Sequence, residues 1–168
     1  LYQLLPRHRH RPLEVEGLAE PPDPLDPATW EAQGWGLADP DRDGTLVHLL
    51  PGSDSAGARR RVALDHLRKC LASARAFQEA LDVVPPGRPP HLRLFMFAGD
   101  TLPTPAAVGV TSGGAVRVIR RGAGDRVVLR SSALLDERAG RPWTPRVHSP
   151  LAWDGVIFVP GTHLGITH

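Results

Sequence analysis

A chain of 168 residues with 41% hydrophobic and 23% charged side chains is long enough to bury a core and too apolar to stay disordered. Its formal net charge is only +2, and the small basic clusters Arg7-His8-Arg9-His10-Arg11, Arg59-Arg60-Arg61 and Arg117 with Arg120 and Arg121 read as solvated faces, so no nucleic-acid partner is implied. Cys70 is the single cysteine, which excludes an internal disulfide and a cysteine-based zinc site, and no apolar run approaches the roughly 20 residues needed to cross a bilayer.

Eighteen prolines and 17 glycines point to many turns, and no internal repeat is visible. Residues 1–5 are a short apolar run stopped by Pro6, and both chain ends read as cuts in a longer polypeptide. Residues 12–29, rich in proline and acidic side chains, are expected to run as an extended, exposed loop. Asp26-Pro27 then opens a helix, because Asp26 offers a capping oxygen and Pro27 has no first-turn amide to leave unpaired; Gly34 and Gly36 close it. Trp30 and Trp35 are expected to pack this region down. Asp39-Pro40-Asp41-Arg42-Asp43-Gly44 reads as a turn, too incomplete and lacking the terminal glutamate for a calcium loop.

Residues 58–81 carry the longest helical pattern, with Leu64, Leu67, Leu71, Ala74, Phe77 and Leu81 on one face and Ser53, Asp54 or Ser55 as cap. Asp82, Pro85 and Pro86 mark its exit. Residues 92–99 read as a buried strand, residues 100–105 as a loop, and residues 108–119 as a hairpin turning at Ser112-Gly113-Gly114. A helix over 131–138, capped by Ser131 or Ser132, a proline-broken loop over 140–150, and a last strand over 156–159 ended by Pro160 and Gly161 complete the chain. The expected division is 1–90, with the long helix, and 91–168, with the sheet strands.

An acid and a base fall on loops of the second part. Asp125 follows the hairpin in a glycine-rich loop, and His163 lies four residues past the last strand, the order acid then histidine of an α/β-hydrolase triad. Asp100, directly after Phe97-Ala98-Gly99, competes for the acid role. A nucleophile elbow needs Gly-x-Ser-x-Gly between strand and helix. Ser53-Asp54-Ser55-Ala56-Gly57 has the context but a serine for the first glycine, and reads as a helix cap; Gly109-Val110-Thr111-Ser112-Gly113 has a threonine and leads into a strand. His8 with His10, or His163 with His168, lack metal-site spacing, and Gly122 to Gly124 lacks the Gly-Lys-Ser/Thr ending of a phosphate loop, so neither metal nor cofactor is implied.

Four stretches carry a resemblance. Leu-Tyr-Gln-Leu-Leu-Pro at 1–6, Gly-Asp-Thr-Leu-Pro-Thr-Pro at 99–105, Gly-Asp-x-x-Val followed by Ser-Ala-Leu from Gly124 to Leu134, and His163-Leu164-Gly165-Ile166-Thr167 together resemble the lecithin:cholesterol acyltransferase-like branch of the α/β-hydrolases. Arg126 and Val127 stand where that family has glycine and threonine. The resemblance implies an α/β chain, the C-terminal part of a hydrolase fold with a helical cap region over 1–90. It also implies serine-dependent hydrolysis or transfer of acyl groups from lipid-like esters, without a cofactor, and contact with a lipid surface. Asp125 would be the acid and His163 the base, with the serine on an upstream segment of the same polypeptide. The alternatives are a compact esterase using Ser55, which needs a central strand over residues 46–50, and a non-catalytic binding module.

Overall fold

The computed structural model describes residues 2–7, 12–83, 87–112, 115–135 and 151–167. The expectations for Pro85 and Pro86, Gly113 and Gly114, the helix end at 136–138, the loop at 140–150, and His8, His10 and His168 lie outside them. The chain mixes helices and strands, and it divides into two compact units: Leu1–His8 with Pro22–Val83, and Arg9–Pro21 with Val84–His168. The break thus falls near 83 rather than 90, and the segment 9–21 belongs with the second unit.

The first unit is helical. Helix α1 (Pro27–Gln33) begins as its sequence dictates: the Asp26 carboxylate accepts from the Ala28 amide at 3.0 Å, and the helix ends at Gly34 in a left-handed conformation, φ 64°. Residues 39–44 are more regular than the expected turn. A short 3-10 stretch, Pro40–Arg42, leads into α2 (Asp43–Leu49), and the acidic side chains Asp39 and Asp43 pair with Arg42 and Arg59.

Helix α3 spans Ala56–Asp82, capped by the Ser55 hydroxyl, which accepts from the Ala58 amide at 3.2 Å. Its buried stripe is Ala63, Leu67, Leu71, Ala74 and Gln78; Leu67, Leu71 and Ala74 pack with Leu25 and Ala38, flanked by Tyr2, Leu5, Trp30, Leu37 and Leu64. Phe77 and Leu81, expected in that stripe, are exposed. At about 100° per residue, position 78 continues the 67-71-74 line and position 77 turns away from it. Gln78 takes the buried place because its Nε2 donates to the Leu5 carbonyl at 2.8 Å, while Arg7 bonds the Gln78 carbonyl at 3.2 Å and Asp82 at 2.5 Å. Residues 2–7 are thereby fastened along the end of α3. Trp30 does pack this unit, its Nε1 donating to the Pro24 carbonyl at 2.8 Å and its ring edge-on to Tyr2 and Trp35.

The second unit holds two small sheets. In the first, order β1-β3-β4, the strand β1 (Leu13–Val15) runs parallel to β3 (Leu102–Val110), which pairs antiparallel with β4 (Val116–Gly124). Part of the supposed exposed loop is therefore a strand: Leu13 and Val15 are buried on either side of exposed Glu14, a period-two signal masked by the surrounding prolines. The hairpin is also longer than expected. Pro103 and Pro105 enter β3 because β1 reaches only 108–110, so at the prolines β3 is an edge that needs no amide on that side.

The other sheet pairs β2 (Phe95–Gly99) in parallel with β5 (Gly155–Val159), from Phe95↔Gly155 to Gly99↔Val159. Met96 and Ala98 are buried with Leu134, against Ala133, Trp153, Val156 and Phe158. The short helix α4 (Arg130–Ala133) thus covers one face. On the other face Phe95, Phe97 and Ile157 are exposed, so β2 is half-buried rather than buried through.

These packing roles set the expected costs in the helical unit. Ser55→Ala should lower its stability by about 1 kcal/mol and Leu71→Ala by about 3 kcal/mol, both read from urea unfolding. A larger loss for the cap than for the core residue would contradict the packing described.

Candidate active site

Three strand ends converge on Asp125. Strand β4 delivers it directly after Gly124, and its backbone bridges Leu102 at the start of β3. It rests on the last residue of β2: a Cβ on Gly99 would stand 2.7 Å from the Asp125 Cβ and 3.1 Å from the Gly161 carbonyl, so only glycine admits this approach. From β5 the chain passes Pro160 and Gly161 to His163, whose amide donates to the Asp125 carbonyl at 3.0 Å. The turn beyond His163 is closed by the Gly165 amide on Thr162 Oγ1 at 3.2 Å and the Ile166 amide on the Thr162 carbonyl at 3.1 Å.

The side chains complete the pair. Asp125 Oδ2 and His163 Nδ1 are 2.8 Å apart, and Asp125 Oδ1 accepts from the amides of Val127 at 3.0 Å and Val128 at 2.7 Å. The carboxylate is buried, at 4% exposure, whereas the His163 side chain is 46% exposed. Burial by itself pushes the Asp125 carboxyl up, but the Val128 amide, the His163 ring and the Val127 amide together outweigh it and hold the carboxyl below its ordinary value. An ionised carboxylate only accepts, so Nδ1 of His163 carries a proton, and in the neutral ring the lone pair is then on Nε2. Such a pair can take a proton from a hydroxyl brought to Nε2 and stabilise the imidazolium that forms.

Asp100, the rival acid, pairs instead with Arg130 at 3.4 Å, whose guanidinium lies 4.4 Å from the centre of the Phe158 ring. Ser55, in the helical unit, is the α3 cap. The run 46–50, which the compact-esterase reading requires as a central strand, lies largely within α2. Among the described residues no group of three or more His, Cys, Asp and Glu gathers as a metal site, and no helix is long and apolar enough to cross a membrane.

Sequence reasoning names Asp125 and His163 but not what holds them. The Val127 and Val128 amides carry no side-chain signature, and the cradle at Gly99 is hinted at only by the paired Gly-Asp steps at 99–100 and 124–125. Compared with family models, curated proteins and solved structures, the chain matches none.

The lowered Asp125 carboxyl has a stability consequence. Because its folded value lies below its unfolded one, its contribution is full above the ordinary carboxyl range and is lost as pH falls through the depressed value. Asp125→Asn should therefore flatten the acid-side slope of unfolding free energy against pH below about 4, measured by urea unfolding at a series of pH values. An unchanged slope would contradict the hydrogen bonding assigned to Oδ1 and Oδ2.

Proposed function

We propose that the second unit supplies the acid and base of a Ser-His-Asp acyl-transfer centre of α/β-hydrolase type, with Asp125 as acid and His163 as base. The serine lies on an upstream segment of the same polypeptide, and the helical unit is the cap. The carrying observation is the buried, doubly amide-bonded Asp125 carboxylate 2.8 Å from Nδ1 of a half-exposed His163. A binding module gives no reason to place an ionised carboxylate there.

In this reading Nε2 takes the serine proton as Oγ attacks the ester carbonyl. The imidazolium then protonates the departing alkoxide, leaving an acyl-serine that water or an acceptor alcohol cleaves by the same relay. The substrate is an acyl ester of lipid type. Supporting it are the exposed apolar side chains beside the pair, Val127 at 67% and Leu164 at 76% exposure, which suit an acyl chain or a lipid surface. The open apolar face of the β2–β5 sheet suits a further covering layer, since parallel sheets are ordinarily covered on both faces. No cofactor enters this scheme.

Labelling with a fluorophosphonate tests the reading. The chain alone should remain unlabelled, while a polypeptide extended upstream should be labelled on a serine preceding Leu1. In that longer protein, His163→Ala and Asp125→Asn should each lower ester turnover by about 10³–10⁴-fold. Labelling of Ser55, abolished by His163→Ala, would establish the compact esterase instead; full turnover in either variant would refute the acid and base assignments.

A further inference from the structure

We propose that Thr104 is the positioning residue for the acid: its hydroxyl latches the Arg126 peptide and thereby keeps the Val127 and Val128 amides on the Asp125 carboxylate. The inference rests on Asp125 being the acid of the centre described above. Thr104 is fully buried in β3, and its hydroxyl works in both directions, donating to the Leu102 carbonyl at 3.1 Å and accepting from the Arg126 amide at 2.8 Å. It ties the start of the hairpin to the residue after the acid.

That residue needs tying. Arg126 has φ 80°, in the left-handed region that a non-glycine side chain disfavours, so the loop is not held there by local preference. The reversal at Arg126 is what turns the next two amides back to Asp125 Oδ1. Without the Thr104 oxygen, the part-buried Arg126 amide would lack its partner and φ would be free to relax, carrying the two amides off the carboxylate. The opposite side of the latch is closed as well: a Cβ on Gly124 would run into Thr104 Oγ1 and the Val128 carbonyl. Pro103 and Pro105 restrict the backbone on either side of Thr104 and so fix where its hydroxyl points.

The isotopically labelled full chain tests this by NMR, with Thr104→Val removing the hydroxyl and Thr104→Ser retaining it. The readouts are the through-hydrogen-bond coupling between Val128 nitrogen and the Asp125 carboxyl carbon, and hydrogen exchange at Arg126, Val127 and Val128. In Thr104→Val the coupling should vanish and exchange at those three amides should quicken about tenfold, while amides of β4 between 116 and 121 stay within twofold. Thr104→Ser should keep the coupling. Retention of the coupling in Thr104→Val, or its equal loss in Thr104→Ser, would overturn the latch.

Should Thr104→Val fail to fold, the unmutated chain decides: a slowly exchanging Thr104 hydroxyl proton in contact with the Arg126 amide is expected, and a hydroxyl proton averaged with water would refute it. None of these readouts involves ester chemistry. A failed phosphonate experiment would therefore strike the functional reading and leave the latch standing.

Discussion

A carboxylate withdrawn from water stays ionised only where hydrogen bonds replace the solvation it loses. Asp125 meets that condition with two backbone amides on one oxygen and an imidazole on the other. The constraint reaches far into the second unit. It needs β2 to end in a residue without a side chain, β4 to end beside it, and the chain after β5 to turn back so that the His163 amide reaches the Asp125 carbonyl. A base oriented through Nδ1 with an open Nε2 is the product of that arrangement.

The two sheets differ in what they offer. The hairpin of β3 and β4 is a long antiparallel pair that carries the acid. The β2–β5 pair is short and parallel, with α4 on one face and Phe95, Phe97 and Ile157 exposed on the other. A two-stranded sheet is marginal by itself, and parallel strands ordinarily lie inside a larger sheet. In the proposed reading the nucleophile is carried on another element.

The sequence made some of this legible and hid the rest for identifiable reasons. Elements with a local chemical signature were readable: the Asp26-Pro27 start of α1, the Ser55 cap and long period of α3, and the antiparallel pairing of the β-rich flanks that form β3 and β4. Strand β1 was hidden because a three-residue alternation is too short to stand out among prolines. The extension of β3 through Pro103 and Pro105 was hidden because proline's exclusion from sheets depends on which edge is paired, a tertiary fact. Phe77 falls off the expected stripe because position 78, not 77, continues the 67-71-74 line, and Gln78 can be buried there only through a hydrogen bond to Leu5, which is remote in sequence. At the site, Asp125 and His163 could be named from loop position and from the resemblance, yet the choice between Asp125 and Asp100 turns on distance. Only the fold shows Asp100 engaged by Arg130 and Asp125 by His163.

The central assignment is that the ionised Asp125 carboxylate fixes His163 as a base with its lone pair on Nε2. The most direct measurement is the ¹⁵N chemical shifts of the His163 ring in the selectively labelled chain, which separate a protonated ring nitrogen from an unprotonated one. A neutral ring held as the Nδ1–H tautomer in the unmutated chain, and released to a mixture of tautomers in Asp125→Ala, is the expected result. A ring that is mainly the Nε2–H tautomer, or that ignores the loss of the Asp125 carboxylate, would contradict it.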